Sequence, residues 1–154
     1  MEKIASFQVD HTKLFPGIYV SRVDRQGEAV VTTFDLRITA PNREPVMDVP
    51  AIHAIEHIGA TYLRNSAEKD KVIYFGPMGC RTGFYLVMFG TYTAEEIFPL
   101  VRDTFAYIAD FTGAVPGASP VECGNYRDLN ADMASYYAER YLVHLKEKRF
   151  SYPE

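Results

Sequence analysis

The chain has 154 residues, 47% hydrophobic and 23% charged, with a formal net charge of −4. That is enough for one domain with a sizeable core, and too apolar for a disordered segment. No cluster of Lys and Arg is available to neutralise phosphates, which argues against a nucleic-acid role. The longest apolar stretch, Phe84 to Phe89, is far too short to cross a bilayer.

Met1 to Phe15 alternates polar and apolar residues and lacks the apolar core and cleavage site of a secretory signal. The expected compartment is the cytoplasm. Its reducing conditions disfavour a Cys80–Cys123 disulfide and leave both thiols for packing or chemistry. Two apolar-rich runs, Gly17 to Val23 and Ala29 to Thr39, flank Asp24-Arg25-Gln26-Gly27-Glu28, which predicts a β-hairpin with Gly27 in the turn. In the second run Val31, Thr33, Asp35 and Arg37 share one face and Phe34, Leu36 and Ile38 the other. The charged pair is expected on a solvated face.

Pro41 to Pro50 holds three prolines and reads as a loop, with Pro50 suited to open a helix. From Ala51 to about Ala67, Ile52, Ile55, Gly59 and Tyr62 recur at helical steps. Lys71 to Phe75 and Phe84 to Phe89 read as strands, joined through Gly76 to Gly83. Thr93-Ala94-Glu95-Glu96 is a capping box that opens a helix to about Phe111. Thr112 to Gly124 is a Gly/Pro-rich loop, and Asp128 to about Arg149 a final helix. Strands in hairpins with helices between and after them predict α+β: one domain over residues 1–154, its antiparallel sheet packed on one face by helices.

Chemistry concentrates in His53-Ala54-Ile55-Glu56-His57, an H-x-x-E-H pattern. At ~100° per residue, His57 lies ~40° from His53 and Glu56 ~60° to its other side, so all three share a helix face. Two histidines at that spacing can grip one metal ion, with the Glu reaching a bound water or substrate. The plain alternative is a solvated stripe carrying two chance histidines. A catalytic metal takes a third protein ligand, for which Cys80, Cys123 and a distant carboxylate are candidates. Both cysteines sit in Gly-rich turns, which let a side chain approach a site. One cysteine as ligand and the other free beside the cation would leave a thiol of lowered pKa to exchange protons alongside Glu56. Such a set suits enolisation next to a carbonyl better than peptide hydrolysis.

Five segments together resemble the S-ribosylhomocysteine lyase family. They are Ser6-Phe7-Gln8-Val9-Asp10-His11; Phe34-Asp35-Leu36-Arg37 with Pro41-Asn42; His53 to His57; Pro77 to Tyr85, which includes Met78-Gly79-Cys80-Arg81-Thr82-Gly83; and Glu122-Cys123-Gly124. The resemblance fades beyond about Asp128. It implies a LuxS/metallohydrolase-like fold, with His53, His57 and Cys123 as metal ligands and Glu56 and Cys80 as the general acid/base pair. The metal would be Fe(II), which Zn(II) or Co(II) can replace. Ser6, His11 and Arg37 would line the substrate pocket, and Arg64 would meet the homocysteine end. The implied product is the autoinducer-2 precursor, used in quorum sensing or simply recycled from the methyl cycle. The implied assembly is a homodimer with its sites at the interface. Many relatives carry Asp and Ser where this chain has Tyr74 and Gly76, and Tyr74 can only hydrogen-bond or stack. Plainer roles are a turn cap for Ser6 and His11, an Asp35 ion pair for Arg37, and a solvated helix position for Arg64.

Two other functions compete. An inverted-motif zinc peptidase would need a distant acidic third ligand and would leave Cys80 without a task. A non-catalytic module stabilised by its metal would need neither Glu56 nor Cys80.

Overall fold

A computed structural model describes residues 1–154. The hairpin forms where the alternating pattern places it. Strands β1 (Gly17–Gln26) and β2 (Ala29–Arg37) pair antiparallel, and Gly27 turns the chain at φ +59°. The later strands, β3 (Val72–Pro77) and β4 (Gly83–Phe89), pair with each other, and β4 inserts beside β2. The result is an antiparallel sheet in the order β1-β2-β4-β3.

Register decides what each face carries. Phe34 lies opposite Leu86, and Leu36 opposite Phe84, which sends these side chains to one face. There they join one apolar core with Ile52, Ile55 and Ile58 of helix α1 (Val49–Leu63), with Phe105 and Ile108 of α2 (Ala94–Ala109), and with Ala138 and Tyr141 of α3 (Ala131–Leu145). The α+β expectation, helices on one face of an antiparallel sheet, therefore holds. Gly59 lets α1 approach β3, because a Cβ at that position would stand 2.6 Å from the Phe75 ring.

The opposite face carries Tyr19, Asp35 and Tyr85, which sit opposite one another across β1, β2 and β4. It is not the solvated face expected for a charged pair. Asp35 and Arg37 are only 2% and 3% exposed. Segments from both ends of the chain reach this face, so Ser6, Phe7, Val9, His11 and Tyr152 line a cavity together with Asp35 and Arg37.

Two helices are shorter than their periodicity suggests. α1 stops at Leu63 rather than near Ala67, because Asn65 and Ser66 fold back on the carbonyls of Thr61 and Leu63. α3 begins at Ala131 rather than Asp128, since the Asn130 side chain caps it by accepting from the Met133 N–H. It ends at Leu145, and Lys148 turns out of helical geometry at φ +49°. The Thr93–Glu96 capping box forms as predicted, with both reciprocal bonds present.

Candidate metal centre and thiol cavity

The inward faces of α1 are occupied by Ala51, Ile52, Ile55, Ile58 and Gly59, so His53, Glu56 and His57 are left half-buried on its outer face. The long α2–α3 loop covers that face. Its carbonyls orient both rings: Asp128 O lies 2.8 Å from His53 Nδ1, and Pro116 O lies 2.7 Å from His57 Nδ1. A carbonyl can only accept, so each Nδ1 carries the proton and each Nε2 keeps a free lone pair. The same loop brings in Cys123, whose Sγ stands 3.4 Å from His53 Nε2. One donor atom from each of His53, His57 and Cys123 lies within 4.8 Å of the other two. Two imidazoles and one thiol around a common point, with each Nδ1 held by a backbone carbonyl and each Nε2 left as the ligand atom, fit a divalent metal ion. Gly117 closes the loop against the ring at φ +72°, and a Cβ there would meet His57 Nδ1 at 3.2 Å.

Cys80 is not a member of this group. It lies in the β3–β4 turn on the opposite side of the sheet, at the edge of a cavity of about 410 Å³. Ser6, His11, Arg37 and Cys80 all line that cavity, with Asp35, Tyr85 and Tyr152. The Cys80 Sγ is 3.2 Å from Thr82 Oγ1 and 3.8 Å from Arg37 Nη1, and that nitrogen also donates to Thr82 Oγ1 at 2.8 Å. Partial burial pushes the Cys80 thiol up, but the Thr82 hydrogen bonds and the Arg37 charge together outweigh it. The net pKa falls below the usual cysteine value.

Arg64 stands apart from both clusters. It caps the C-terminal end of α1, and its guanidinium donates to the carbonyls of Val72 (3.2 Å) and Ile73 (2.8 Å) on β3. Tyr74 lies half-exposed over Gly76, where a Cβ would collide with its phenol at 2.0 Å. It borders a neighbouring cavity that shares Ser6, Ser21 and Tyr85 with the first. Sequence reasoning named the Asp35–Arg37 pair but placed it on a solvated face, and it passed over the Thr82 contact to the thiol, Tyr152 and the two orienting carbonyls. Thr82, two residues from Cys80 in the same turn, is the one that spacing could have flagged.

Fold and site together define an α+β protein in which an H-x-x-E-H helix and a loop thiol could hold a metal ion, beside a second thiol of lowered pKa. The comparisons with known proteins agree with that class. The family model described as S-Ribosylhomocysteinase (LuxS) matches residues 4–151, and the chain belongs to that family. It is 54% identical to the S-ribosylhomocysteine lyase of Clostridium acetobutylicum over 158 residues, covering 100% of both chains. It is 55% identical to that of Finegoldia magna over 157 residues, again covering 100% of both. The S-ribosylhomocysteine lyase of Borreliella burgdorferi is 53% identical over 157 residues, with 99% of this chain and 100% of that one covered.

Proposed function

We propose that residues 1–154 form one S-ribosylhomocysteine lyase domain that releases homocysteine and 4,5-dihydroxy-2,3-pentanedione, the autoinducer-2 precursor. The observation that carries this reading is the pairing of one His53–His57–Cys123 donor set with a separate, acidified Cys80 thiol. A peptidase would have no use for that thiol, and the third donor found beside the histidines is a thiol rather than a carboxylate.

The thioether of the substrate has no acidic proton beside it, so the sugar carbonyl must first migrate from C1 to C2 and then to C3, which makes the C4 proton acidic and lets the thiolate on C5 leave by β-elimination. Each migration removes a proton from one carbon and returns it to the next, through an enediolate. A divalent ion held by His53, His57 and Cys123 supplies Lewis-acid stabilisation for the negative charge that develops on the sugar oxygens. Glu56, on the same helix face as the two imidazoles, and Cys80 move the protons. Thr82 and Arg37 favour the deprotonated Cys80 sulfur, which can then accept a proton. Ser6, His11 and Arg37 line the sugar's side of the cavity, and Tyr74 borders the adjoining cavity into which the amino-acid end would extend. The metal is Fe(II), with Zn(II) or Co(II) able to substitute. The protein works in the cytoplasm, where its two free thiols persist. No helix is long and apolar enough to cross a membrane.

A homodimer with sites at its interface is part of the same proposal. Within one chain the donor set lies beneath the α2–α3 loop, while Cys80 faces away from the helices. The exposed Ile4, Phe7 and Tyr74 lie on or beside the Cys80 face. A second copy laid on that face would bring its own donor set to the thiol.

Homocysteine release from S-ribosylhomocysteine by anaerobically Fe(II)- or Co(II)-loaded protein tests the chemistry. Wild type releases thiol, and Glu56→Ala and Cys80→Ala each lose on the order of 100-fold or more. No release by wild type ends the reading. Mixing inactive Cys80→Ala and Cys123→Ala proteins under subunit exchange tests the assembly. Half the dimers are then mixed with one intact site each, so roughly a quarter of wild-type activity returns. No recovery would place both groups of a working site in one chain.

A further inference from the structure

The segment after α3 crosses back to the sheet. The Ile18 N–H donates to the Arg149 carbonyl at 3.0 Å, and the Tyr152 ring stacks on Tyr19 with centroids 4.8 Å apart and planes inclined by 13°. From there the Tyr152 hydroxyl donates to Asp35 Oδ2 at 2.9 Å. Asp35 in turn grips the Arg37 guanidinium with both oxygens, Nε to Oδ1 at 3.0 Å and Nη2 to Oδ2 at 2.6 Å. The remaining nitrogen, Nη1, is the one that meets Thr82 and Cys80. A continuous path of contacts therefore leads from the C-terminal segment to the thiol.

We propose that Tyr152 is a positioning residue, whose hydroxyl fixes the orientation of Asp35 and so holds Arg37 where its Nη1 reaches both Thr82 and the Cys80 sulfur. The terminal torsion of an aspartate is broad and nearly two-fold, so a second donor on Oδ2 is what selects one orientation. A planar guanidinium copies that orientation, because the two-pronged grip fixes its plane and hence the direction of Nη1. The Tyr152 phenol stays a donor at every working pH, since burial and the neighbouring Asp35 charge push it well above the ordinary tyrosine range. The groups that face Cys80 around the cavity are Arg37 and Thr82, then Tyr85 from β4, His11 from the N-terminal segment, and Asp35 and Tyr152 behind the guanidinium. Of these only Arg37 places a fixed positive charge on the sulfur.

The test is the pH dependence of iodoacetamide alkylation at Cys80 in metal-loaded protein, read from the mass of the peptide that carries it, beside steady-state thiol release. Only the second arm rests on the lyase reading. Tyr152→Phe removes the hydroxyl and keeps the stack on Tyr19. Its alkylation midpoint should rise by about half a pH unit or more, which is roughly threefold less thiolate below the midpoint. kcat should fall by a similar factor with KM little altered. Tyr152→Leu, which also removes the stack, should show the same thiol shift together with a lower melting temperature. A Tyr152→Phe midpoint equal to wild type overturns the proposal whatever the stability does, and that variant alone decides if Tyr152→Leu fails to fold. A raised midpoint with undiminished thiol release supports the positioning role and counts instead against Cys80 as a proton carrier.

Discussion

His53 and His57 owe their shared direction to one helix, whereas Arg37 and Cys80 meet from β2 and the β3–β4 turn, 43 residues apart. The metal centre is oriented by backbone: two loop carbonyls hold the imidazoles, and the loop itself delivers Cys123. The thiol cavity is oriented by side chains, through Tyr152, Asp35, Arg37 and Thr82 in turn. A centre that must present lone pairs to a cation gains from neutral carbonyl partners, which fix a tautomer without adding charge. A sulfur that must carry negative charge gains from a guanidinium, and a buried guanidinium requires a carboxylate behind it. The two regions are therefore expected to fail differently.

The largest effect separates them at once. Cys123→Ala removes a metal ligand and should lower metal affinity by about 100-fold or more, measured by competition with a chelator, while the Cys80 alkylation profile of the metal-free protein stays as in metal-free wild type. Retained affinity would favour a carboxylate as third ligand, and with it the peptidase reading.

Arg37→Met should do the reverse, leaving metal affinity intact and damaging the other region. Asp35, 2% exposed, would be left as a buried charge without its partner, at a cost of about 3–5 kcal/mol seen as a lower melting temperature. The sign for the thiol follows from its lowered pKa. Reactivity is present above that pKa and lost as the pH falls through it, so removing the cation moves the loss to higher pH and slows alkylation at neutral pH. A melting temperature at the wild-type value would show that solvent, not Arg37, satisfies Asp35.

The smallest effect sharpens the role of the loop. Gly117→Ala adds a Cβ near His57 Nδ1 at a backbone conformation of φ +72°. Displacing the loop would loosen the Pro116 carbonyl from the ring, and metal affinity should fall by about 10-fold, toward the low end for an outer partner. Unchanged affinity would mean that the helix alone aims His57.

Much of this was readable along the chain, and for a consistent reason. The H-x-x-E-H spacing, the Thr93–Glu96 capping box and the Gly27 hairpin are short-range patterns, in which helix pitch, cap geometry or turn conformation leaves few alternatives. Helix ends were less legible, because Asn65, Ser66 and Asn130 side chains compete with the main chain in a way that apolar periodicity does not register. The Asp35/Arg37 pair misled for the opposite reason. Alternation on β2 places both on the face away from the core, yet it says nothing of the chain ends that cover that face.

From its sequence alone this protein has an α+β plan, a helix carrying two imidazoles and a carboxylate on one face, and two thiols free for chemistry. These depend on residue types a few positions apart, where backbone geometry fixes side-chain direction. Residue spacing left open which thiol joins the imidazoles, a choice that the family resemblance supplied, whereas which carbonyls set the tautomers and how Tyr152 comes to stand behind Arg37 were decided only by the tertiary structure. Each depends on the path of a loop or a terminal segment across a packed surface, and neighbouring residues do not fix that path.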